Sequence, residues 1–588
     1  MAKYILGISC YYHDASAALL KDGKVVAAAQ EERFTRKKHD TSFPINAVKF
    51  CLANENISID ALSHIGFYEK PFLKLERVLF QHLQMFPRSL KTFLSSMPSW
   101  VNEKARIVRT VKKKLGWQKG MIFVPHHLAH AAGSFLLSPF NDAAILTVDG
   151  VGEWTTTAWG IGRNTDVELL KEIRFPHSLG LLYSTITAYL GFSVNNSEYK
   201  VMGLSAFGNS DQKANPYYEK LKRVIHVKTD GSYRLEMDYF IYHFADRMPA
   251  ERLCRLLGGP VRKSSEEVTE RHKDIASALQ MILEEVMTKI LNHLYLKIGL
   301  PNLVLAGGVA LNSVYNGKIL RQTPFKQVWI QSDPGDGGTA IGVAAYIWNV
   351  ILGHERNYVF TNPYLGPGFS TLEVKTFLDQ NKIIYRQFKN NHELLRETAE
   401  LIFKNDVVGW FQGRMEWGPR ALGARSILAN PMNPDAQELL NTKVKHREKF
   451  RPFAPVVCAD EALKYFDCDQ PIPEITDYML MVYPVKEKWR KFIPAVTHID
   501  GSGRLQTARR EQNPLYYDLI KEFGKLSGVP ILINTSFNIR GEPIVCTPHD
   551  AYKCMMGTGI DYLVMDQFLI KREDNQRDTW DSEKYAKD

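Results

Sequence analysis

The sequence predicts an α/β protein of two domains, and three features carry that expectation. The chain has 588 residues, well past the roughly 250–300 at which a single hydrophobic core stops growing. Apolar runs of strand length alternate with amphipathic stretches of helix length, the pattern of α/β architecture. Around residues 352–370 the sequence LGHERNYVFTNPYLGPGFS loses periodicity and collects Gly and Pro, which marks a junction. The domains are therefore expected at residues 1–360 and 371–588.

In chain order, residues 3–10 (KYILGISC) and 16–29 (SAALLKDGKVVAAA) read as strands, the second stretch folded back at Lys21-Asp22-Gly23-Lys24. Asp-Gly between apolar runs is a strong hairpin signal. His13 and Asp14 lie in the first turn. An imidazole with an ordinary pKa of roughly 6.5 is suited to take a proton from an attacking hydroxyl; in a turn it also serves as a structural cap. HHLAH at 126–130 opens a small-residue helix, and His126 and His130, four apart, share a face that can hold one metal. A metalloprotease helix would place Glu where His127 stands, so its general base is lacking.

Residues 142–162 repeat the opening: the strand DAAILTVDG, an acidic turn, then VGEWTTTAWGIG. Asp149 ends the first of these strands, and Asp336 lies in DPGDGG after the strand KQVWIQS. Ligands of open α/β sheets gather at the carboxyl ends of strands. Both aspartates can thus join the histidine pair in a mixed N/O site suited to Fe(II), Zn or Mn; equally, both can simply end strands in Asp-Gly turns. Residues 272–298 predict a helix and Leu303 to Ala306 a strand. In the following LAGGVALNS, Gly307 and Gly308 let the backbone approach a nucleotide closely. Two meanders and one glycine turn match the layout of an actin-like ATPase core.

Beyond the junction, a helix is expected near 372–380 and strands at 406–411 and 529–533. GRMEWGPRALGARSILANP at 413–431 contributes Arg420, and KVKHREKFRPFAP supplies Lys443, Lys445, Arg447, Lys449 and Arg451. Arg504, Asn534, Ser536, Asn538 and Arg540 follow in THIDGSGRLQTA and INTSFNIRGEPIV. Any one of these reads as a salt-bridged surface residue; the group suits a small phosphorylated anion, which Arg forks match.

The formal charge of +10 favours an anionic ligand, yet the only basic block, Lys112-Lys113-Lys114, reads as a solvated helix face and not as a nucleic-acid patch. Seven scattered cysteines without a CxxC pair argue for reduced thiols. The start lacks a leader-peptide cleavage pattern, and no run reaches the ~18 apolar residues of a membrane span. Cytoplasmic residence without a membrane partner is the expectation.

From end to end, HDASAAL, QEERFTRKKHD, HHLAHAAGSF, TVDGVGEWTTT, EYKVMGLSAFG, LAGGVALN, DPGDGGTAIGVA, GRMEWGPRALGARSILA, FRPFAP and TSFNIRGEPIV resemble the NodU/CmcH-type carbamoyltransferases, which carbamoylate hydroxyls of nodulation factors and antibiotics. The resemblance implies an N-terminal TsaD-like domain of the actin-like ATPase superfold joined to a C-terminal YrdC-like α/β domain. The second domain would make carbamoyl-adenylate from carbamoyl phosphate and ATP with Mg²⁺, and the first would pass the carbamoyl group to a hydroxyl of a small molecule. It further implies His126, His130, Asp149 and Asp336 as ligands of a divalent metal, Fe(II) foremost, with His13 and Asp14 catalytic. Gly150, Gly307, Gly308, Asn312 and Lys200 fall to the nucleotide in the first domain, and Arg420, Lys443, Arg447, Arg451, Arg504, Asn534, Ser536, Asn538 and Arg540 to carbamoyl phosphate and ATP in the second. A tRNA threonylcarbamoyl transferase shares the first half but calls for a basic surface at nucleic-acid scale. A non-catalytic actin-like nucleotide-binding protein has no use for HHLAH or the arginine-rich half. A homodimer is the plain expectation for such an enzyme.

Overall fold

The computed structural model describes residues 2–102, 106–448 and 450–575, so Lys449 lies outside the described residues. They form two compact units, residues 2–31 with 41–360, and residues 32–40 with 361–575. One segment departs from the expected division. Arg33 Nη2 donates to the Gly418 carbonyl (3.0 Å), and Arg36 donates to the Ile544 (2.7 Å) and Pro543 (2.8 Å) carbonyls. These contacts fold Glu32–Asp40 with the second unit.

The first unit is one topology written twice. In the first sheet β1 (Tyr4–Ser9), β2 (Ser16–Lys21) and β3 (Lys24–Gln30) form an antiparallel meander, with β4 (Leu62–Phe67) and β5 (Met121–Phe123) added in parallel on the other side of β1. In the second, β6 (Asp142–Val148), β7 (Thr155–Arg163) and β8 (Asp166–Arg174) meander, a hairpin of β9 (Ile225–Val227) and β10 (Tyr233–Leu235) stands apart, and β11 (Asn302–Ala306) and β12 (Gln327–Trp329) add in parallel beside β6. The orders β3-β2-β1-β4-β5 and β8-β7-β6-β11-β12 are therefore the same, as the two meanders in the sequence lead one to expect. Asp22 (φ 47°) and Gly23 (φ 84°) make the β2–β3 turn, as the two left-handed positions of such a tight turn require.

Of the helices, α1 (Pro71–Gln84) and α2 (Leu90–Asn102) connect β4 to β5, α3 (His126–Phe135) follows β5, α4 (Glu270–Ile298) precedes β11, and α5 (Thr339–Tyr346) follows β12. α3 and α5 pack backbone to backbone: a Cβ on Gly342 would stand 2.0 Å from the Ala129 carbonyl oxygen, and one on Gly133 3.0 Å from Gly342 Cα. The small-residue face of AHAAG thus brings the start of α3 to the loop before α5. Among the described residues no helix is long and apolar enough to cross a membrane.

The second unit is built on one mixed sheet. Its strands are β13 (Arg386–Gln387), β14 (Val408–Phe411), β15 (Arg425–Ala429), β16 (Ala454–Cys458), β17 (Met481–Pro484), β18 (Ser502–Ala508), β19 (Ile531–Ser536), β20 (Tyr562–Met565) and β21 (Phe568–Lys571), in the order β13-β21-β20-β14-β15-β19-β16-β18-β17. Alternate residues Val408, Trp410, Leu428, Val456, Cys458 and Leu532 form one buried layer with Leu394, Ala399 and Ile402 of α6 (Asn391–Phe403) and Leu519, Ile520 and Phe523 of α7 (Pro514–Ser527). The period-two strand pattern and the period-3.6 helix pattern meet in that core.

Candidate functional site

The start of α3, the end of β6 and the turn Asp336–Gly338 before α5 define the first site. His126 and His130 project from one helix face, with their Nε2 atoms 3.1 Å apart. His126 Nε2 lies 2.9 Å from Asp149 Oδ2 and 3.6 Å from Asp336 Oδ1; His130 Nε2 lies 3.7 and 3.5 Å from the same two oxygens. One donor atom from each of the four falls within 4.8 Å of every other, and all four side chains are buried. Both Asp336 oxygens are buried without a hydrogen bond among the described residues. A buried carboxylate in that condition is costly unless a cation meets it, and two imidazoles with two carboxylates are the donors of a borderline divalent metal. The four residues fit such an ion.

Three groups hold this arrangement. Glu153 accepts the His126 N–H on both oxygens (3.1 Å each) and the Lys70 N–H (2.8 Å), capping the positive end of α3. His127, the middle histidine, sits between Thr147 Oγ1 (2.7 Å) and the Thr155 carbonyl (2.9 Å). Burial, then the two neighbouring imidazoles, pull its pKa to about 3, so it is a neutral tie. Gly308 donates its N–H to Asp149 Oδ1 (3.0 Å), and Gly307, at φ 90°, leaves no room for a side chain because a Cβ there would meet the Val148 carbonyl at 2.3 Å. The glycine turn and the imidazole–carboxylate cluster therefore share Asp149.

Charge within the cluster is strongly coupled. Burial alone would raise the Asp149 carboxyl, but hydrogen bonds from His126 and His130 hold it well below the carboxylate range. Burial would lower His130, and Asp149 and Asp336 instead hold it up to about 9. His13, in the β1–β2 turn, places Nδ1 on Asp14 Oδ2 (2.9 Å) and Nε2 3.8 Å from Asp336 Oδ2. Burial works against its charge, yet Asp336 and Asp14 raise it to about 10.

The other residues expected around the nucleotide divide. Gly150, Gly307 and Gly308 border Asp149. The Asn312 amide is committed to Gln280 (2.9 and 3.1 Å) and caps Tyr315 N–H (3.0 Å), so it is a structural tie. Lys200 is buried, with Nζ 5.6 Å from the centre of the Phe192 ring.

In the second unit the centre of the cationic group is Lys445, not Lys443. A π-helical turn at Leu440–Val444 shifts the phase, leaving Lys443 exposed and burying Lys445. Lys445 Nζ donates to the Ser536 carbonyl, the Asn538 carbonyl (2.9 Å), Asn538 Oδ1 (3.1 Å) and Ser536 Oγ (3.3 Å). Burial first, then Arg447, pulls this ammonium well below its usual pKa. Arg447 Nε donates to Asn441 Oδ1 (2.6 Å), and Asn441 Nδ2 to the Arg451 carbonyl (3.0 Å). Arg451 and Arg540 each stand 3.8 Å from Glu448. Lys445, Arg447, Arg451, Ser536, Asn538 and Arg540 are thus gathered. Asn534 is not among them: its amide donates to the Ala421 carbonyl (3.0 Å) and Gln506. Arg504 donates to the Met479 carbonyl (2.9 Å), and Arg420 is half-buried.

Residues 4–345 match a model described as carbamoyltransferase N-terminus, and residues 399–572 one described as carbamoyltransferase C-terminus. Over 622 residues, 99% of each chain, the sequence is 44% identical to uncharacterized protein sll1178 of a Synechocystis strain. It is 33% identical over 580 residues to nodulation protein NolNO of Sinorhizobium fredii, covering 97% of this chain and 80% of that one. With nodulation protein U of the same organism it shares 33% over 294 residues, 50% of this chain and 49% of that one.

Proposed function

Since this chain belongs to the carbamoyltransferase family, with both family halves matched, and is a carbamoyltransferase, we propose that it is an ATP-dependent O-carbamoyltransferase with a small-molecule hydroxyl acceptor. The observation that carries the proposal is the pairing of an imidazole–carboxylate cluster with a glycine turn on one carboxylate, Asp149. In this reading Gly307 and Gly308 admit the nucleotide end of an adenylate, and His126, His130, Asp149 and Asp336 hold Fe(II). That ion, when bound, offsets charge developing on the departing phosphate.

The second unit, read as YrdC-like, supplies the adenylate. Lys445, Arg447, Arg451 and Arg540 would bind the phosphoryl groups of carbamoyl phosphate and of ATP with Mg²⁺. Balance sets the steps: water displaces phosphate from carbamoyl phosphate, and the carbamate left behind attacks the α-phosphorus of ATP and displaces pyrophosphate. In the first unit the acceptor hydroxyl then attacks the carbamoyl carbon and AMP leaves. His13 would take the hydroxyl proton once the charge of the carboxylates around it, Asp336 first and then Asp14, which hold its pKa up to about 10, is offset. Holding the carbamoyl group by its adenosine end is what makes activation useful, since binding energy at a remote group positions the carbonyl.

The test is mass spectrometry of the full chain with ATP, carbamoyl phosphate and Mg²⁺, without acceptor. Carbamoyl-adenylate and pyrophosphate are expected from the wild type and not from Lys445→Met. Metal-loaded, folded protein that makes neither overturns the adenylate route.

A further inference from the structure

One buried cation beside the first site has no part in these steps. Helix α1 is amphipathic in the reverse sense: Phe72, Phe80 and Leu83 are exposed, whereas Lys74 and Arg77 are buried. Lys74 is satisfied, because its Nζ is paired with the buried Glu69 and lies 5.0 Å from the centre of the Tyr12 ring. Arg77 is not. Its side chain belongs to a residue 7% exposed, and neither Nε nor Nη1 has a hydrogen-bond partner among the described residues. The guanidinium carbon lies 4.9 Å from the centre of the Phe175 ring, a contact that supplies no acceptor oxygen.

The neighbouring acids are committed elsewhere. Glu69 is taken by Lys74, and Glu153 by the N–H groups of His126 and Lys70. A guanidinium on a helix has a stem long enough to carry its head to water, and burying one with unfilled donors is strongly unfavourable. Its inward course therefore points to an anion as the intended partner. The location is specific. Lys74, one helical turn before Arg77, brings its Nζ 5.0 Å from the centre of the Tyr12 ring, and the Tyr12 ring stands 4.7 Å from that of His13.

We propose that Arg77, flanked by Lys74 and Tyr12, is an oxyanion-binding site next to the transfer centre, taking a carboxylate or phosphate oxygen of a substrate. Only the source of that oxyanion rests on the carbamoyl-transfer reading: it belongs either to the acceptor or to the phosphate of the adenylate.

The experiment is direct binding of inorganic phosphate and of AMP to the full chain, with Arg77→Met compared with Arg77 in a background that carries Lys445→Met, Arg447→Met, Arg451→Met and Arg540→Met, which removes the second unit's gathered cations. Neither measurement needs turnover, so failure of the carbamoyl-transfer reading leaves the result interpretable. Phosphate binding should weaken at least tenfold in Arg77→Met and recover in part in Arg77→Lys. The thermal midpoint of ligand-free Arg77→Met should stay level or rise, because an uncompensated buried charge has been removed. AMP affinity unchanged would place the oxyanion on the acceptor; AMP and phosphate weakened together would place it on the donor. Unchanged binding of both in a folded Arg77→Met overturns the proposal. Arg77→Gln replaces Met should that variant not fold, and failure of both neutral variants to fold would make Arg77 a structural cation and equally end it.

Discussion

The two polar clusters use burial in opposite senses. In the first unit Asp149 and Asp336 are buried with imidazoles as their closest partners, so the site is short of positive charge that cannot leave, and a metal is its natural complement. In the second unit Lys445 is buried against carbonyl and amide oxygens, with Arg447 and Arg451 depressing its pKa further, and an anion is what would hold it charged. Sign, and not degree of burial, separates a cation site from an anion site. The consequence is that the two halves of the reaction should be separable by mutation.

Removing a ligand should break the comparison most completely. His130→Ala should lose its bound metal, read by elemental analysis as a fall from about one ion per chain to near none, while acceptor-independent pyrophosphate release continues at the wild-type rate. Lys445→Met should do the converse. Pyrophosphate release should fall about 10²- to 10³-fold, the scale on which a positioned donor to a reacting oxyanion counts, and metal content should not change. A loss of both properties in either variant would mean that the clusters are not independent.

Glu153 sharpens the contrast at smaller scale, because it touches no proposed ligand atom but holds the helix end that carries His126. Glu153→Gln keeps the shape and removes the charge facing the α3 terminus. Metal affinity, measured by chelator competition, should drop about 10- to 100-fold, as for other groups that orient ligands, with folding stability lowered by about 1 kcal/mol. Retained affinity would reduce Glu153 to a stabilising cap.

How far these sites could be read in the sequence depends on how local their causes are. HHLAH needs only the helical period to align His126 with His130, and Asp149 and Asp336 follow strands whose ends are visible as Asp-Gly turns. The duplicated meander is legible for the same reason. Arg77 is hidden, since a helix with Phe72, Phe80 and Leu83 on one face normally turns that face inward, and here tertiary packing does the reverse. The attachment of Glu32–Asp40 to the second unit is hidden too, because Arg33 and Arg36 find their acceptors 385 to 508 residues away.

The smallest expected effect comes from the residue pair that separates sequence reading from structure. Lys443 and Lys445 lie two apart in one basic run, and no periodic pattern chooses between them, because the π-helical turn Leu440–Val444 breaks the 3.6-residue phase. The exposed Lys443 ammonium is solvated and gains little from any one charged neighbour. Lys443→Ala should therefore leave pyrophosphate release within about twofold of wild type, against the 10²-fold or greater loss at Lys445. Comparable losses at both positions would mean that the anion is drawn by the summed field of the run and not by a donor fixed on Ser536 and Asn538, and the second cluster would then be a steering surface and not a binding site.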